Sequence, residues 1–228
     1  MALTAAELTV VWLSLKVAIV ATLGGAIPAI AVAWLLARRR FWGRTALNVL
    51  VHIPLVVPPV VTGYFLLRIL GRQGAIGGWL DAHLGLQFAF RWTGAAIAAA
   101  VMAFPLVVRA IRLGFESVDR KVEESAATLG ASPWRVFLTI TLPLAFPGLA
   151  AGLLIGFAKA LGEFGATITF VSNIPGETQT LALAIYTQIE RPGGEAAASR
   201  LIWLSVGISV LALVASELML RSRQRSDA

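Results

Sequence analysis

The feature that most constrains this chain is a set of five long apolar runs: residues 8–37, 46–70, 93–112, 148–171 and 201–220. Each run reaches the length of about 20 mostly apolar residues that a helix needs to cross a bilayer. Hydrophobic residues make up 58% of the 228 residues. Charged residues make up 14%, against about 25% in soluble domains. The sequence therefore predicts an all-α integral membrane protein with one transmembrane domain over residues 1–228.

The basic residues are concentrated in alternate loops, and this predicts the orientation of the chain. Loops on the cytoplasmic side of a membrane protein carry an excess of Lys and Arg. Such residues are frequent in the first loop, the third loop and the tail, at Arg38, Arg39, Arg40, Arg44, Arg120, Lys121, Arg135, Arg221, Arg223 and Arg225. The second and fourth loops hold only Arg72, Arg91 and Arg191. We therefore expect the N-terminus outside and the C-terminus inside.

Two shorter segments have their own predictions. The apolar piece 134–146 is too short to cross a bilayer, and we interpret it as a helix that enters the fourth run from the inner face. Residues 173–194 are expected outside, with a short helix over 180–189 between turn signals. That segment fits an external gate and a plain surface loop equally well.

Composition and motif content exclude several kinds of chemistry. The net charge of +7 does not predict a nucleic-acid partner, because the basic residues flank apolar runs and form no basic-aromatic patch. The chain has no cysteine, and its two histidines, His52 and His83, are not in a metal-binding pattern. No metal and no cofactor are therefore expected. The Gly-x4-Gly-Lys-Ser/Thr pattern that holds nucleotide phosphates is absent, so ATP hydrolysis would need another chain.

The third loop, residues 117–135, has the local signals of a helix, a sharp corner and a second helix. Asp119 is a suitable N-cap, and Gly130 suits the left-handed position that ends a helix. Ser132 and Pro133 predict the N-cap and first-turn proline of the next helix. A rigid helix that protrudes from the membrane can transmit force from a soluble partner. The alternative is an ordinary solvated helix with a mixed charged face.

This loop resembles the coupling loop of permease subunits of ATP-binding-cassette (ABC) importers. The family pattern is Glu-Ala-Ala, three residues, Gly, nine residues and Ile-x-Leu-Pro. The sequence matches it at Glu124, Ala126, Gly130, Ile140, Leu142 and Pro143, with Ser125 in place of the first alanine. The stretches 53–64, 142–148 and 160–178 resemble the molybdate permeases of that family. The resemblance implies a type I importer permease whose ATPase-coupling residues are Glu123, Glu124, Ala126, Gly130, Ala131 and Ser132.

The resemblance also implies partners and a mechanism. The expected partners are two ATP-binding-cassette subunits, a second copy of the chain, an extracytoplasmic oxyanion-binding protein and membrane lipid. The setting would be the bacterial cytoplasmic membrane, and the mechanism alternating access. Tungstate, sulfate and thiosulfate are rival substrates. A secondary transporter is another alternative. An intramembrane protease would need Glu-Glu-x-x-x-Arg, and position 128, five residues after Glu123, is Thr.

Residues inside the apolar runs suggest a translocation pathway. Pro58 and Pro59 interrupt the second run, and a kinked helix with freed backbone groups is tolerated where it lines a cavity. The predicted pathway residues are Pro58, Pro59, Thr62, Gly63, Lys159 and Glu163. The last two are four residues apart and can form an ion pair, so a purely structural role remains equally open. Gly148, Gly152 and Gly156 have the spacing of a close helix contact, for which we predict packing.

Overall fold

The computed structural model describes residues 4–224, and every regular element in that range is helical. The helices are α1 (Ala5–Arg38), α2 (Arg44–Val56), α3 (Pro59–Leu70), α4 (Ala75–Leu84), α5 (Trp92–Glu116), α6 (Arg120–Thr128), α7 (Pro133–Val136), α8 (Leu142–Leu161), α9 (Gly165–Val171), α10 (Leu181–Glu190) and α11 (Glu195–Gln224). A π-helical turn, Phe137–Thr141, joins α7 to α8. The all-α prediction is confirmed. Arg225, one of the basic residues of the tail, lies outside the described residues.

Within residues 4–224, four helices are long and apolar enough to cross a membrane: Ala5–Arg38, Trp92–Glu116, Pro133–Leu161 and Glu195–Ala212. A fifth candidate is the pair α2 and α3, whose axes are bent by 112°. The second predicted run, 46–70, is therefore two helices. Val57 and Pro58 between them are extended, because a residue that precedes proline is pushed out of the helical region.

The fourth predicted run, 148–171, does not coincide with one helix. The helix through it begins at Pro133 and ends at Leu161, and α9 begins only at Gly165. The residues on both sides of this break are mostly apolar, since Glu163 is the one charged residue between Gly162 and Val171. The apolar piece 134–146 is continuous with the membrane helix, which confirms that it leads into the fourth run.

Helix α5 is the centre of the bundle and packs against α1 and α8. The contact with α8 is made backbone to backbone: a Cβ added at Gly148 would lie 2.4 Å from the Cα of Gly114. One and two turns further along α8, added Cβ atoms at Gly152 and Gly156 would meet Ile111 and Val107 at 2.7 and 2.5 Å. The predicted packing role of these glycines is confirmed.

The far end of the bundle from Arg38 is closed by α10, which confirms the predicted short helix after residue 180. Val10 of α1, Leu181 and Ala184 of α10 and Leu201 of α11 are buried together. Two polar contacts link the same helices. Ser14 Oγ accepts a hydrogen bond of 2.6 Å from the Leu181 amide, and Glu7 Oε1 lies 3.0 Å from Arg200 Nε. Helix α4, in the second loop, had no counterpart in the sequence predictions.

Candidate functional site

The third loop folds as its local signals predict. Asp119 Oδ1 accepts a hydrogen bond of 2.9 Å from the Lys121 amide and begins α6. Gly130 has a φ of +88°, a value that other residues adopt only with strain. Ser132 Oγ accepts from the Arg135 amide at 3.4 Å and begins α7. The predicted helix, glycine corner and second helix are all confirmed.

Among the described residues, Glu123 carries the ion pair and the side-chain hydrogen bond that α6 makes with α1 and the π-helical turn. Its Oε1 atom lies 3.1 Å from Arg38 Nη2 at the end of α1. The same oxygen accepts a hydrogen bond of 2.6 Å from Thr141 Oγ1, in the π-helical turn. Arg38 Nη2 also donates to the carbonyl oxygen of Val118 at 3.0 Å. The two charged side chains are only 10% and 19% exposed, so this ion pair is largely shielded from solvent.

The opposite side of the loop is exposed. Helix α6 has no buried residue, and Glu124 is exposed although it follows Glu123 directly. Leu129 is 89% exposed and Trp134 is 69% exposed. Of the remaining predicted coupling residues, Ala126 and Ala131 are half-buried, whereas Gly130 and Ser132 are exposed. The loop therefore presents a surface of mixed charge and exposed apolar side chains that the described residues leave largely uncovered, and its exposed basic residues are Arg120, Lys121 and Arg135.

Sequence reasoning missed the residues that hold the loop in place. Arg38 is the first of three consecutive arginines, and nothing in that run indicates which of them turns inward. Phe137 is the second anchor: its ring lies 5.8 Å from Trp34, 6.2 Å from Phe115 and 5.6 Å from Trp134, measured between centroids. These contacts fix the π-helical turn against α1 and α5.

The predicted pathway residues of the second run meet α9. A Cβ added at Gly63 would lie 2.5 Å from the carbonyl oxygen of Ala166, and one added at Gly165 would lie 2.8 Å from Pro59 Cβ. Thr62 is 8% exposed, while Pro58 and Pro59 are exposed at the bend. The bend thus brings α3 and α9 into close backbone contact.

Lys159 and Glu163 form the ion pair that their spacing allows. Lys159 Nζ lies 2.6 Å from Glu163 Oε2, and the Glu163 side chain is 2% exposed. The other carboxylate oxygen, Oε1, accepts a hydrogen bond of 3.0 Å from the Ala166 amide at the start of α9. Glu163 and Gly63 therefore meet at Ala166. Both oxygens of Glu163 are engaged within the chain, a geometry that favours the structural role of this pair.

Comparisons with known proteins agree with this geometry. Residues 29–223 match the family model described as "Binding-protein-dependent transport system inner membrane component". The chain is 54% identical to the molybdenum transport system permease protein ModB of Escherichia coli K12, over 99% of both chains. It is 53% identical to ModB of Haemophilus influenzae, over 96% of both chains. The sulfate transport system permease protein CysT of Escherichia coli is 35% identical, over 83% of this chain and 69% of that one.

A solved structure shows the same fold at low sequence identity. A chain of a bacterial ABC transporter that imports the acidic polysaccharide alginate superposes with a TM-score of 0.73 and 18% identity, over 96% of this chain and 80% of that one. The fold described above is thus shared with that transporter chain. The chain belongs to the family of binding-protein-dependent transport system inner membrane components, and it is a multi-pass membrane permease of an ABC importer rather than an enzyme.

Proposed function

We propose that this chain carries molybdate across the bacterial cytoplasmic membrane, as the permease of an importer driven by separate ATPase subunits. The observation that carries the substrate assignment is the similarity to two molybdenum permeases, which exceeds the similarity to the sulfate permease and extends over nearly the whole chain. Sulfate and thiosulfate are therefore the weaker alternatives. Tungstate is nearly the same size and charge as molybdate, and discrimination between these two would belong to the extracytoplasmic binding protein.

The exposed side of the third loop is the proposed docking surface for an ATP-binding-cassette subunit. Glu124 supplies a charge, and Leu129 and Trp134 supply apolar area that the described residues leave largely exposed. Apolar and aromatic anchors of this kind usually dominate the binding energy of an interface. Ala126, Gly130, Ala131 and Ser132 give the loop its shape. Two copies of the chain would present two such loops to two ATPase subunits. In this proposal the loop faces the cytoplasm, with the N-terminus outside and the C-terminus inside.

The proposed pathway lies at the bend between α2 and α3, and it is completed by a second copy of the chain. Pro58 and Pro59 are exposed at the bend, with Thr62 and Gly63 behind them. Lys159, the cation nearest to this contact along α8 and α9, already has its charge balanced by Glu163. A fixed, unbalanced charge would bind a divalent anion tightly and slow its release. We therefore expect weak, transient contacts with backbone groups and hydroxyls.

The proposed function is tested by uptake of labelled molybdate in cells that lack their own molybdate importer. The permease is expressed with its ATPase and binding protein, with the ATPase omitted, or with unlabelled tungstate, sulfate or thiosulfate as competitors. We expect uptake that requires the ATPase and is reduced by tungstate but not by sulfate. Uptake without the ATPase would instead indicate a secondary transporter, and competition by sulfate would overturn the substrate assignment.

The proposed weak binding has its own test. Equilibrium binding of labelled molybdate is measured on the purified permease–ATPase complex without the binding protein. We expect no saturable binding at micromolar concentrations. Micromolar or tighter binding that is lost in Lys159→Gln would contradict the weak-binding pathway and would make Lys159 a ligand.

A further inference from the structure

We infer that Arg38, Glu123 and Thr141 form a latch that makes α6 move as one body with the inner end of α1 and the start of α8. In this inference Arg38 and Thr141 are positioning residues, which act through Glu123 on the loop. This inference rests on the proposed function in one point, that an ATPase subunit displaces the loop. The three contacts of the latch lie within the permease itself.

The first argument is where the contacts converge. Helix α6 has no buried residue, so packing alone does not hold it rigidly. Among the residues that the structure describes, the ion pair and side-chain hydrogen bond that α6 makes beyond its own loop both end on Glu123 Oε1. One carboxylate oxygen thus receives Arg38 from α1 and Thr141 from the π-helical turn. A load applied to α6 therefore reaches the membrane helices through this oxygen as well as through the short backbone segments on either side of α6.

The second argument is the environment of Arg38. Its side chain is 10% exposed, and its Nη2 atom contacts both Glu123 Oε1 and the Val118 carbonyl oxygen. Its Nε atom is buried and has no hydrogen-bond partner among the described residues. Buried polar atoms are usually paired, and a buried ion pair is screened by salt much less than an exposed one. The contacts of Nη2 therefore hold the guanidinium in place although one of its donors is unsatisfied.

The third argument is the position of Thr141 at the end of the π-helical turn Phe137–Thr141. Single π-helical turns inside long helices are rare and occur frequently at functional sites. Here the turn lies in the continuous helix from Pro133 to Leu161, directly after the third loop. The Phe137 ring holds the turn against Trp34 of α1 and Phe115 of α5. The π-helical turn, which contacts Glu123 through Thr141, is thus also held against the bundle by Phe137.

The chain contains a matched reference pair. Arg72 Nε and Asp81 Oδ2, in the second loop, are also 3.1 Å apart, but their side chains are 79% and 21% exposed. An exposed pair of this kind contributes little, because water and salt screen it. Substitutions at Arg72 and Asp81 therefore control for the loss of an arginine–carboxylate pair as such.

The first experiment measures uptake and ATP hydrolysis together, in membranes that contain the full importer. The variants are Arg38→Gln, Glu123→Gln, their combination and Thr141→Val, with Arg72→Gln and Asp81→Asn as controls. We expect each latch variant to reduce the molybdate transported per ATP hydrolysed several-fold while hydrolysis continues. The double variant should equal the single ones, because either change opens the latch. An unchanged ratio, or additive losses in the double variant, would overturn the inference. A merely structural role would lower both activities in proportion.

The second experiment does not depend on the substrate. The chain has no cysteine, so two spin labels can be attached through Arg40→Cys and Lys121→Cys. Both positions are exposed, the first just after α1 and the second in α6. In the permease–ATPase complex we expect the same label distance with and without a bound ATP analogue, and a broadened distance in Glu123→Gln. A distance that changes with nucleotide while the latch residues are intact would overturn the latch. If the uptake test fails and this distance stays constant, the substrate assignment is wrong and the latch stands.

Discussion

Two glycine-mediated contacts in this molecule look alike in detail and differ in their surroundings. In the contact of α5 with α8, Gly114 and Gly148 face each other between helices of 25 and 20 residues. In the contact of α3 with α9, which joins helices of 12 and 7 residues, Gly63 faces Ala166 and Gly165 faces Pro59. Both contacts therefore bring two backbones close together, but the helices that form the α3–α9 contact are much shorter than those that form the α5–α8 contact.

The difference indicates which contact supports the fold and which one can change. A shift at the α5–α8 contact has to move two long helices, of which α5 is buried along much of its length. A shift at the α3–α9 contact can be absorbed nearby, because α3 begins at the bend after Pro58 and α9 begins at the break after Gly162. Hinges are usually a few residues at the ends of elements that absorb a change in backbone angles. The α3–α9 contact is therefore the better place for a moving pathway.

The largest effect is expected when the α5–α8 contact is broken with Gly148→Val. The new Cβ would lie 2.4 Å from the Gly114 Cα, and no rotamer can relieve a clash with backbone. We expect a loss of about 3 kcal/mol or more in the free energy of unfolding, the upper end for an overpacked core. The measurement is the thermal midpoint of the purified permease in detergent.

Gly207→Val in α11 is the control for that experiment, because, apart from the adjoining residues of α11, no heavy atom of the described residues lies within 4 Å of the Cβ that it would add. Its thermal midpoint should stay close to that of the unsubstituted chain. If both variants unfold at the same temperature, the Gly114–Gly148 contact is not what holds α5 to α8.

A smaller effect on stability, with a larger one on transport, is expected for Gly63→Ala. The added Cβ would lie 2.5 Å from the Ala166 carbonyl oxygen, and α9 has to move away to admit it. We expect a loss of about 1–2 kcal/mol in the free energy of unfolding. We also expect uptake to fall by far more than the amount of folded protein, as measured by uptake per permease in vesicles. Normal uptake in a correctly folded Gly63→Ala variant would contradict a pathway at this contact.

A third prediction concerns the ion pair beside the same contact. Glu163→Gln keeps the shape of the side chain and its acceptor for the Ala166 amide, but it removes the charge that Lys159 contacts. Because Lys159 is 31% exposed, its ammonium group can turn toward water. We expect a loss of about 1 kcal/mol in the free energy of unfolding, read from the same thermal transition, and little change in the affinity for molybdate. A marked gain in molybdate affinity would show that Glu163 had been cancelling a binding charge.

The smallest change, in the opposite direction, is expected for Gly24→Ala in α1. Apart from the adjoining residues of α1, no heavy atom of the described residues lies within 4 Å of the Cβ that it would add, so this glycine takes part in neither contact. Alanine in a helix interior is favoured over glycine by roughly 0.5–1 kcal/mol. The thermal midpoint should rise slightly. A fall would mean that the space beside Gly24 is occupied in the assembled protein.

The elements that the sequence predicts well are those whose causes lie in neighbouring residues. Asp119, Gly130 and Ser132 set the ends of α6 and α7 through contacts within a few positions, so the third loop could be inferred from local rules. The long apolar runs fix the helical class in the same way. The break after Leu161 could not be inferred, because apolar residues continue on both sides of it.

Contacts between residues that are far apart in the sequence could not be predicted, for a different reason. The hydrogen bond from Arg38 to Val118 joins residues 80 positions apart, and no periodicity or spacing encodes such a pairing. Gly114 was missed as the partner of Gly148 because it belongs to another helix. The proposed pathway residues were grouped by the chemistry of their side chains, and whether they line a pathway remains a prediction.

The polar contacts of α1 have a consequence for how the chain is made. Ser14 and Glu7 find their partners 167 and 193 positions later in the chain. At synthesis rates of about 5–20 residues per second, Ser14 leaves the ribosome roughly 8–33 s before Leu181 does. During that interval the first part of α1 lacks its contacts with α10 and α11. A chain that is truncated before α10 would therefore never form these contacts.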